Sequence, residues 1–167
     1  KMDFLGLRTL TVIRDAERMV QRTNPDFAID RISTEDPAIY QMLSAGQTEG
    51  VFQFESSGMR GVLMQLGPES LEDLIAVISL YRPGPMDSIP RYIQNRHNPS
   101  LVTYLHPSLE PILKVTYGCM VYQEQIMQIF RELAGYTLGR ADIVRRAMSK
   151  KKKDVMERER HIFVHGL

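Results

Sequence analysis

A ten-residue apolar segment followed at once by a rigid turn constrains the fold of this chain most strongly. Leu71–Leu80 reads LEDLIAVISL and is almost wholly apolar after its first turn. Ser70 and Asp73 have the spacing of a capping box, which predicts that a helix begins here. Residues 83–85 read Pro-Gly-Pro, a sequence that forces a sharp, stiff turn. We therefore predict a central buried helix that ends abruptly, with Arg82 beside its end.

Glycine, proline and polar turn residues divide the rest of the chain into short segments in the same way. Within these segments apolar residues recur at helical spacing, which is typical of amphipathic helices. Further predicted helices cover residues 7–22, 37–43, 58–66, 90–97, 108–115, 123–134, 139–153 and 154–164.

Three short runs suggest a minor β component. Residues 1–5 alternate apolar and polar side chains as a strand does, and residues 51–54 fit either a brief strand or a buried turn. Residues 119–122 form another short apolar run. The expected fold class is therefore mainly α, with two or three short β-strands.

Composition sets the broad class of the protein. The chain has 167 residues, of which 43% are apolar and 25% are charged, as in an ordinary soluble globular domain. No apolar run approaches the roughly 20 residues of a membrane span, and no signal peptide opens the sequence. Cys119 is the only cysteine, which excludes an intramolecular disulfide and fits a reducing compartment. We expect a cytoplasmic location without a membrane partner, and, because the chain starts at Lys1, a piece of a larger protein.

Positive charge is concentrated towards the C-terminus. Residues 140–153 carry seven lysines and arginines against one acid, a local charge of +6, whereas the whole chain carries +1. The seven cations are Arg140, Arg145, Arg146, Lys150, Lys151, Lys152 and Lys153. We predict one continuous helix that begins at Gly139 and has Asp142 in its first turn. The side of this helix away from most of the cations carries Ile143, Val144, Ala147 and Met148.

The residues alone leave two interpretations of this cationic segment open. The first is a solvated helix face that ends in a lysine run. The second is a site for polyanionic phosphate, with Arg145 and Arg146 as fork-shaped donors and the lysines as point charges. His161 and His165 have the spacing of a metal pair, but no acid or cysteine at ligand spacing completes a site. We expect these histidines to belong to a solvated tail.

Five longer strings carry more specific information. They are KMDFLGLRTL, GVFQFESSGMR, LYRPGPM, YGCMVYQEQIMQI and GYTLGRADIVRRAMSKKK, in this order from residue 1 to about residue 153. Together they resemble the alpha subunits of bacterial DNA polymerase III, the C-family replicative polymerases, in the branch without an inserted exonuclease. The resemblance implies that residues 1–8 are the C-terminal strand of the palm. It implies that residues 9–167 are part of a helical fingers domain.

The resemblance also implies roles for individual residues. Asp3 is expected to be the third catalytic aspartate of the palm and a metal ligand, and Lys1 to lie near the incoming nucleotide. Arg145 and Arg146 are expected to bind the nucleotide triphosphate. Candidate phosphate or DNA contacts with less definite roles are Arg82, Arg140, Lys150, Lys151, Lys152 and Lys153. The family's other two palm aspartates would lie upstream of residue 1.

By this resemblance the chain is expected to be the fingers region of a DNA-directed DNA polymerase. It would bind incoming deoxynucleoside triphosphates for template-directed synthesis with two Mg²⁺ ions. Expected partners are primer–template DNA and, through parts of the polymerase outside this chain, the sliding clamp and the clamp loader. Because metal catalysis needs several carboxylates, the isolated chain is expected to be inactive. The alternative is a non-enzymatic helical module that binds the nucleic-acid backbone through its basic segment.

Overall fold

The computed structural model describes Met2, Phe4 and residues 6–166. The chain divides into two compact units, Lys1–Leu71 and Glu72–Leu167. The α-helices are α1 (Arg8–Val20), α2 (Pro37–Ser44), α3 (Ser57–Leu66), α4 (Leu71–Leu80), α5 (Ile89–His97), α6 (Glu110–Leu113), α7 (Gln123–Ala134), α8 (Leu138–Ser149) and α9 (Lys153–His165). Short 3-10 turns cover Ile29–Arg31, Pro85–Ser88, Pro99–Leu101, Pro107–Leu109 and Lys114–Thr116.

The N-terminal unit is built around the packing of α2 on α3. Its buried large hydrophobic side chains come from these two helices and the turn between them: Tyr40, Leu43, Phe54, Met59, Leu63 and Leu66. The turn contains Gly46, whose φ is +75° and whose missing Cβ would lie 2.9 Å from Met64 Sδ. A side chain at this position would be strained and would crowd α3, so glycine allows the two helices to approach.

Helix α1 forms where the sequence predicts it, but none of its residues is buried. Two hydrogen bonds connect it to the segment that follows. Glu17 Oε1 accepts from the Ile29 N–H at 2.8 Å, and Gln21 Nε2 donates to the Phe27 carbonyl at 2.9 Å. The apolar stripe of α1 is therefore exposed in the described structure.

The predicted helix Leu71–Leu80 is confirmed as α4, but its burial is one-sided. Ala76, Val77 and Leu80 are buried, whereas Leu71 and Ile75 are exposed. An apolar segment of this length has side chains all round the helix, and only the face that meets neighbouring elements is covered.

In the C-terminal unit, α7, α8 and α9 pack against one another. Their shared core contains buried Tyr136, Ala141 and Val144, against which Met127, Phe130, Ala134, Met156 and Ile162 pack. The Phe130 ring lies 5.4 Å from the Tyr136 ring and 5.1 Å from the Phe163 ring, measured between centroids. This three-helix cluster fixes the position of α8, which carries most of the cationic segment.

A buried polar side chain fixes the start of α7. Gln125 Oε1 accepts from the backbone N–H groups of Val121 and Tyr122, both at 2.9 Å. Its Nε2 donates to the Ile112 carbonyl at 3.1 Å and to Thr116 Oγ1 at 2.8 Å. All of these groups have partners, so burial of this glutamine adds specificity to the turn before α7 without leaving an unsatisfied amide.

No strand occurs among the described residues, so the prediction of two or three short β-strands is wrong. Residues 51–54 form a turn in which the Phe54 N–H donates to the Val51 carbonyl at 3.0 Å and Gln53 has a φ of 69°. The Cys119 N–H donates to the Thr116 carbonyl at 3.0 Å, and the N–H groups of Val121 and Tyr122 donate to Gln125 Oε1. Several backbone N–H groups of these apolar runs are thus bonded by turns and by Gln125 instead of by a neighbouring strand.

The predicted strand at residues 1–5 falls partly on Lys1, Asp3 and Leu5, which lie outside the described residues. Met2 and Phe4 are exposed and are not part of a strand.

A buried ion pair links α4 to α5 and generates a stability prediction. Arg96 Nε donates to Asp73 Oδ1 at 2.9 Å and its Nη2 donates to Oδ2 at 2.7 Å. The Arg96 side chain is 13% exposed and the Asp73 side chain is 5% exposed. Replacing Arg96 by Ala removes the guanidinium from a buried carboxylate, and we expect a loss of about 3–5 kcal/mol in the free energy of unfolding. Chemical denaturation measures it.

The matched control is Arg160→Ala, because Arg160 pairs with Glu157 on the surface, where both side chains are 77% exposed. Its expected effect is about 0.5 kcal/mol or less. Similar losses for the two variants would show that the buried Asp73–Arg96 pair contributes no more to the free energy of unfolding than the surface pair.

Candidate functional site

The cationic segment is two helices joined by a corner, and the prediction of one continuous helix over residues 139–153 is wrong. Helix α8 ends at Ser149, and Lys151 has a φ of 51°, in the left-handed region. The Lys152 N–H donates to the Ala147 carbonyl at 2.9 Å and the Lys151 N–H to the Met148 carbonyl at 3.0 Å. These two bonds form a Schellman motif, with a lysine where glycine is usual. We call Lys150, Lys151 and Lys152 the α8–α9 corner.

The start of α8 also differs from the prediction. Thr137 is the N-cap, and its Oγ1 accepts from the Arg140 N–H at 3.3 Å. The helix therefore begins at Leu138, Gly139 lies inside it, and Asp142 lies beyond the first turn. The cap residue, rather than the glycine, sets the boundary because its side chain satisfies a free backbone donor.

The buried face of α8 consists of Ala141, Val144 and Ala147, three residues apart. Ile143 and Met148, which the prediction placed on the buried side, are exposed. Ala141 is buried in place of Ile143 and Met148 because α7 and α9 both contact α8, and small side chains allow two neighbouring helices to approach.

One carboxylate binds both arginines of the predicted triphosphate site. Arg145 donates to Asp142 Oδ1 from Nε at 2.9 Å and from Nη2 at 2.7 Å. Arg146 donates to Asp142 Oδ2 from Nε at 2.7 Å and also from Nη2. The structure thus brings Arg145 and Arg146 together through Asp142, with one net positive charge for the three groups.

The two arginines differ in their surroundings. Arg145 is 23% exposed, and its Nη1 donates to Gln123 Oε1 of α7 at 2.7 Å. Arg146 is 65% exposed, and its guanidinium is paired with Asp142. A guanidinium has five N–H donors, so Arg146 keeps its Nη1 edge for another acceptor. Arg145 connects α8 to α7, whereas Arg146 faces solvent.

A pocket of about 240 Å³ lies beside Arg146 at the junction of α8 and α9. Its lining residues are Ile143, Arg146, Ala147, Lys150, Lys152 and Val155. We call it the corner pocket. Three of its six lining side chains are cations, because the left-handed turn at Lys151 places Lys150 and Lys152 on the side of Arg146.

Arg140, another candidate phosphate contact, is bound within the protein by Glu159 and Tyr136. Its Nε donates to Glu159 Oε2 of α9 at 3.1 Å, its Nη2 lies 3.0 Å from the same oxygen in an ion pair, and its guanidinium carbon lies 4.2 Å from the centre of the Tyr136 ring. Glu159 is buried. Burial raises the pKa of Tyr136, and the neighbouring Glu159 adds to the rise. Arg140 therefore stabilises the contact between α8 and α9.

The other predicted contacts are separate from the corner pocket. Arg82 is exposed in the turn after α4, where its backbone carbonyl accepts from the Met86 N–H at 3.2 Å. Lys151 and Lys153 are exposed and do not line the pocket. The predictions for Lys1 and Asp3 lie outside the described residues.

The described residues do not form a metal site. Across Met2, Phe4 and residues 6–166, no three His, Cys, Asp or Glu side chains come together as metal ligands would. The His161 and His165 rings are 4.7 Å apart, between centroids, without a third ligand of this kind in the same part of the chain.

Comparison with known proteins identifies the family. A family described as "Bacterial DNA polymerase III alpha subunit finger domain" matches residues 9–167. The chain belongs to the bacterial DNA polymerase III alpha subunit family. It is 53% identical over 167 residues to DNA polymerase III subunit alpha of Staphylococcus epidermidis (strain ATCC 12228 / FDA PCI 1200). The same identity relates it to DNA polymerase III subunit alpha of Staphylococcus aureus (strain COL).

The matches cover 99% of this chain but 16% of each of these relatives, so the chain spans about a sixth of their length. The predicted resemblance to the polymerase III alpha family is therefore confirmed. The division into palm residues 1–8 and fingers residues 9–167, and the roles of the site residues, stay predictions. No helix in the described part of this polymerase III alpha chain has both the length and the apolar character needed to cross a membrane.

Sequence reasoning missed the side chains that hold the cations of this polymerase III alpha segment. Asp142 was assigned to the first turn of α8, although its spacing of three and four residues from Arg145 and Arg146 is that of helical ion pairs. The contacts with Gln123 and Glu159 join residues 22 and 19 positions apart. No local pattern gives such contacts.

The shared carboxylate generates a prediction about protonation. Hydrogen bonds from Arg146 and then from Arg145 lower the pKa of Asp142. Since this pKa is lower in the folded chain than in the unfolded one, its contribution to stability is present above the unfolded pKa and is lost as pH falls through the folded pKa. In a carbon NMR titration, Arg146→Ala should raise the pKa of Asp142 towards 3.8, and Arg145→Ala should raise it less.

Arg160→Ala is the control, because it removes a guanidinium from Glu157 on α9 and leaves α8 intact. A midpoint for Asp142 at or above 3.8 in the unsubstituted chain would contradict the assignment of both arginines to this carboxylate.

Proposed function

We propose that this chain is the fingers region of a bacterial replicative DNA polymerase and that its corner pocket binds the triphosphate of the incoming deoxynucleotide. The observation that carries the proposal is the convergence of Arg146, Lys150 and Lys152 on one pocket of about 240 Å³. Polyanionic phosphate is the ligand that such a group of cations suits best.

The charge of the site supports a ligand with several negative charges. Arg145, Arg146, Lys150 and Lys152 against Asp142 leave a net charge of +3, whereas the whole chain carries +1. A nucleoside triphosphate carries several charges on adjacent phosphates, so neighbouring cations at one corner can each take a different oxygen. The positive charge is therefore local to the corner and is not a general property of the surface.

The two arginines have different roles in this proposal. Arg146 contacts phosphate, because its Nη1 edge is not used in the ion pair with Asp142. Arg145 supports the site without contacting phosphate, because three of its N–H donors are bonded to Asp142 and Gln123. This division refines the expectation that both arginines bind the triphosphate.

Other parts of the proposal rest on the family. The relatives are named DNA polymerase III subunit alpha, and the whole protein would extend a primer on template DNA in the cytoplasm. Lys1 and Asp3 would contribute from the palm, and Asp3 and other palm carboxylates would hold two Mg²⁺ ions. The described residues do not provide such a metal site, so no metal-dependent step is assigned to them. The sliding clamp and clamp loader would bind other parts of the polymerase.

The alternative, a module that binds the nucleic-acid backbone, is favoured by one observation. Lys151 and Lys153 are exposed and lie outside the corner pocket, so they are free to contact a polyanion larger than a nucleotide. Variants of Arg146 and of the corner lysines distinguish the two functions.

The first experiment separates nucleotide binding from DNA binding in the full-length polymerase. Arg146→Ala should lower kcat/KM for the nucleotide about 10- to 100-fold, because it removes a charge-assisted fork to phosphate. The double variant Lys150→Gln/Lys152→Gln should lower it about 3- to 30-fold, since point charges bind phosphate less specifically. Primer–template affinity should hardly change. Single-turnover extension at several nucleotide concentrations, with DNA binding measured in parallel, tests this.

Lys151→Gly is the matched control, because it removes a neighbouring cation that does not line the pocket and suits the left-handed backbone. Nucleotide use by this variant should be unchanged. If the Arg146 and lysine variants lose DNA affinity while nucleotide use is retained, the backbone-binding function is the better description.

The second experiment concerns the isolated chain. We expect it to fold and to show no primer extension, because several carboxylates are needed for metal-dependent nucleotidyl transfer. The measurement is primer extension with highly purified chain, beside the full-length polymerase as positive control. Extension that copurifies with the chain and is lost on Asp3→Asn would contradict this expectation.

A further inference from the structure

We propose that Asp142 is a positioning residue for nucleotide binding, and that it acts through Arg146 by directing its free edge into the corner pocket. This inference rests on the proposed function, because it assigns a role at the same site. Asp142 itself would not contact the nucleotide.

The geometry of the Asp142–Arg146 pair suits this role. Asp142 Oδ2 accepts from Nε and Nη2 on one edge of the guanidinium, so the Nη1 edge points away from the carboxylate. The two residues are four positions apart on α8, the spacing at which side chains meet on one helix face. Arg146 is 65% exposed, and without this pair a long side chain in solvent would sample many rotamers.

Asp142 is in turn held in place from the opposite side. Its Oδ1 accepts twice from Arg145, which donates to Gln123 at the first position of α7. The contacts therefore run from Gln123 through Arg145 and Asp142 to Arg146. Packing of α7 on α8 keeps Gln123 and Arg146 at a fixed distance from each other. The orientation of Arg146 is determined by the three-helix cluster as well as by its own rotamer preference.

Two opposing effects follow from the charge of Asp142, and one of them should dominate. The carboxylate repels a bound phosphate, but the Arg146 guanidinium lies between them and solvent screens the remainder. Asp142 also restricts the Arg146 side chain before phosphate binds, so Arg146 loses less conformational freedom on binding. Orientation should therefore outweigh repulsion, and neutralising Asp142 should weaken nucleotide binding.

A double-mutant cycle in the full-length polymerase tests this. Asp142→Asn should raise the KM for the deoxynucleoside triphosphate about 5- to 20-fold, with a much smaller change in kcat. In the Arg146→Ala background the same substitution should change KM less than about 2-fold, because the residue that it positions is gone. Asp142→Glu should recover part of the loss, since Glu also pairs with Arg at this spacing.

Two further variants keep the test decisive. Glu157→Gln removes the carboxylate of another same-helix pair, with Arg160, and should leave KM unchanged. If Asp142→Asn lowers the melting temperature so far that it cannot be assayed, Gln123→Ala replaces it. This substitution removes only the support for Arg145, and its smaller rise in KM should also vanish in the Arg146→Ala background.

Each other outcome has a defined meaning. Equal effects of Asp142→Asn with and without Arg146 would overturn the positioning role while leaving the proposed function intact. A lower KM in Asp142→Asn would also overturn it and would make Asp142 a competitor of phosphate. If Arg146→Ala alone leaves KM unchanged, the proposed function fails, and the positioning role fails with it.

Discussion

The packing of α8 between α7 and α9 is the contact on which the candidate site depends. Ala141, Val144 and Ala147 form a narrow apolar face that lets both neighbours approach. Because this face is fixed, the opposite side of α8 and its C-terminal turn have a defined direction. Arg145, Arg146 and the α8–α9 corner therefore occupy set positions instead of lying along an unconstrained cationic helix.

The electrostatics of the site is a balance between cations and one carboxylate. Asp142 binds a guanidinium with each of its oxygens, so neither arginine is an independent charge. Glu159 of α9 likewise pairs with Arg140 of α8, through its Oε2. Of the seven cations in residues 140–153, those without such an acidic partner lie at the corner or in the first position of α9. The pairing of cations with acids therefore changes along one short segment, from paired arginines in α8 to lysines at the corner and the start of α9.

How far sequence alone predicted this structure follows from the range of the interactions. The helices were predicted well because periodic apolar residues and Pro or Gly breaks act within a few positions, as for Leu71–Leu80. The strands were wrong because residues 51–54 and 119–122 bond several of their backbone N–H groups through turns and through Gln125. The corner was missed because nothing in four consecutive lysines signals a left-handed residue. The family strings named Arg145 and Arg146, but contacts between helices distinguish them.

The turn at Lys151 has a thermodynamic consequence. Lysine, serine and methionine favour a helix or tolerate it, so local preference in this segment supports one straight helix across the corner. The bend is imposed by the docking of α9 on its neighbours, at the expense of a left-handed lysine. The corner pocket exists only while α9 is docked. Under the proposed function, anion binding in the corner pocket and docking of α9 would therefore be reciprocally linked, each raising the equilibrium constant of the other.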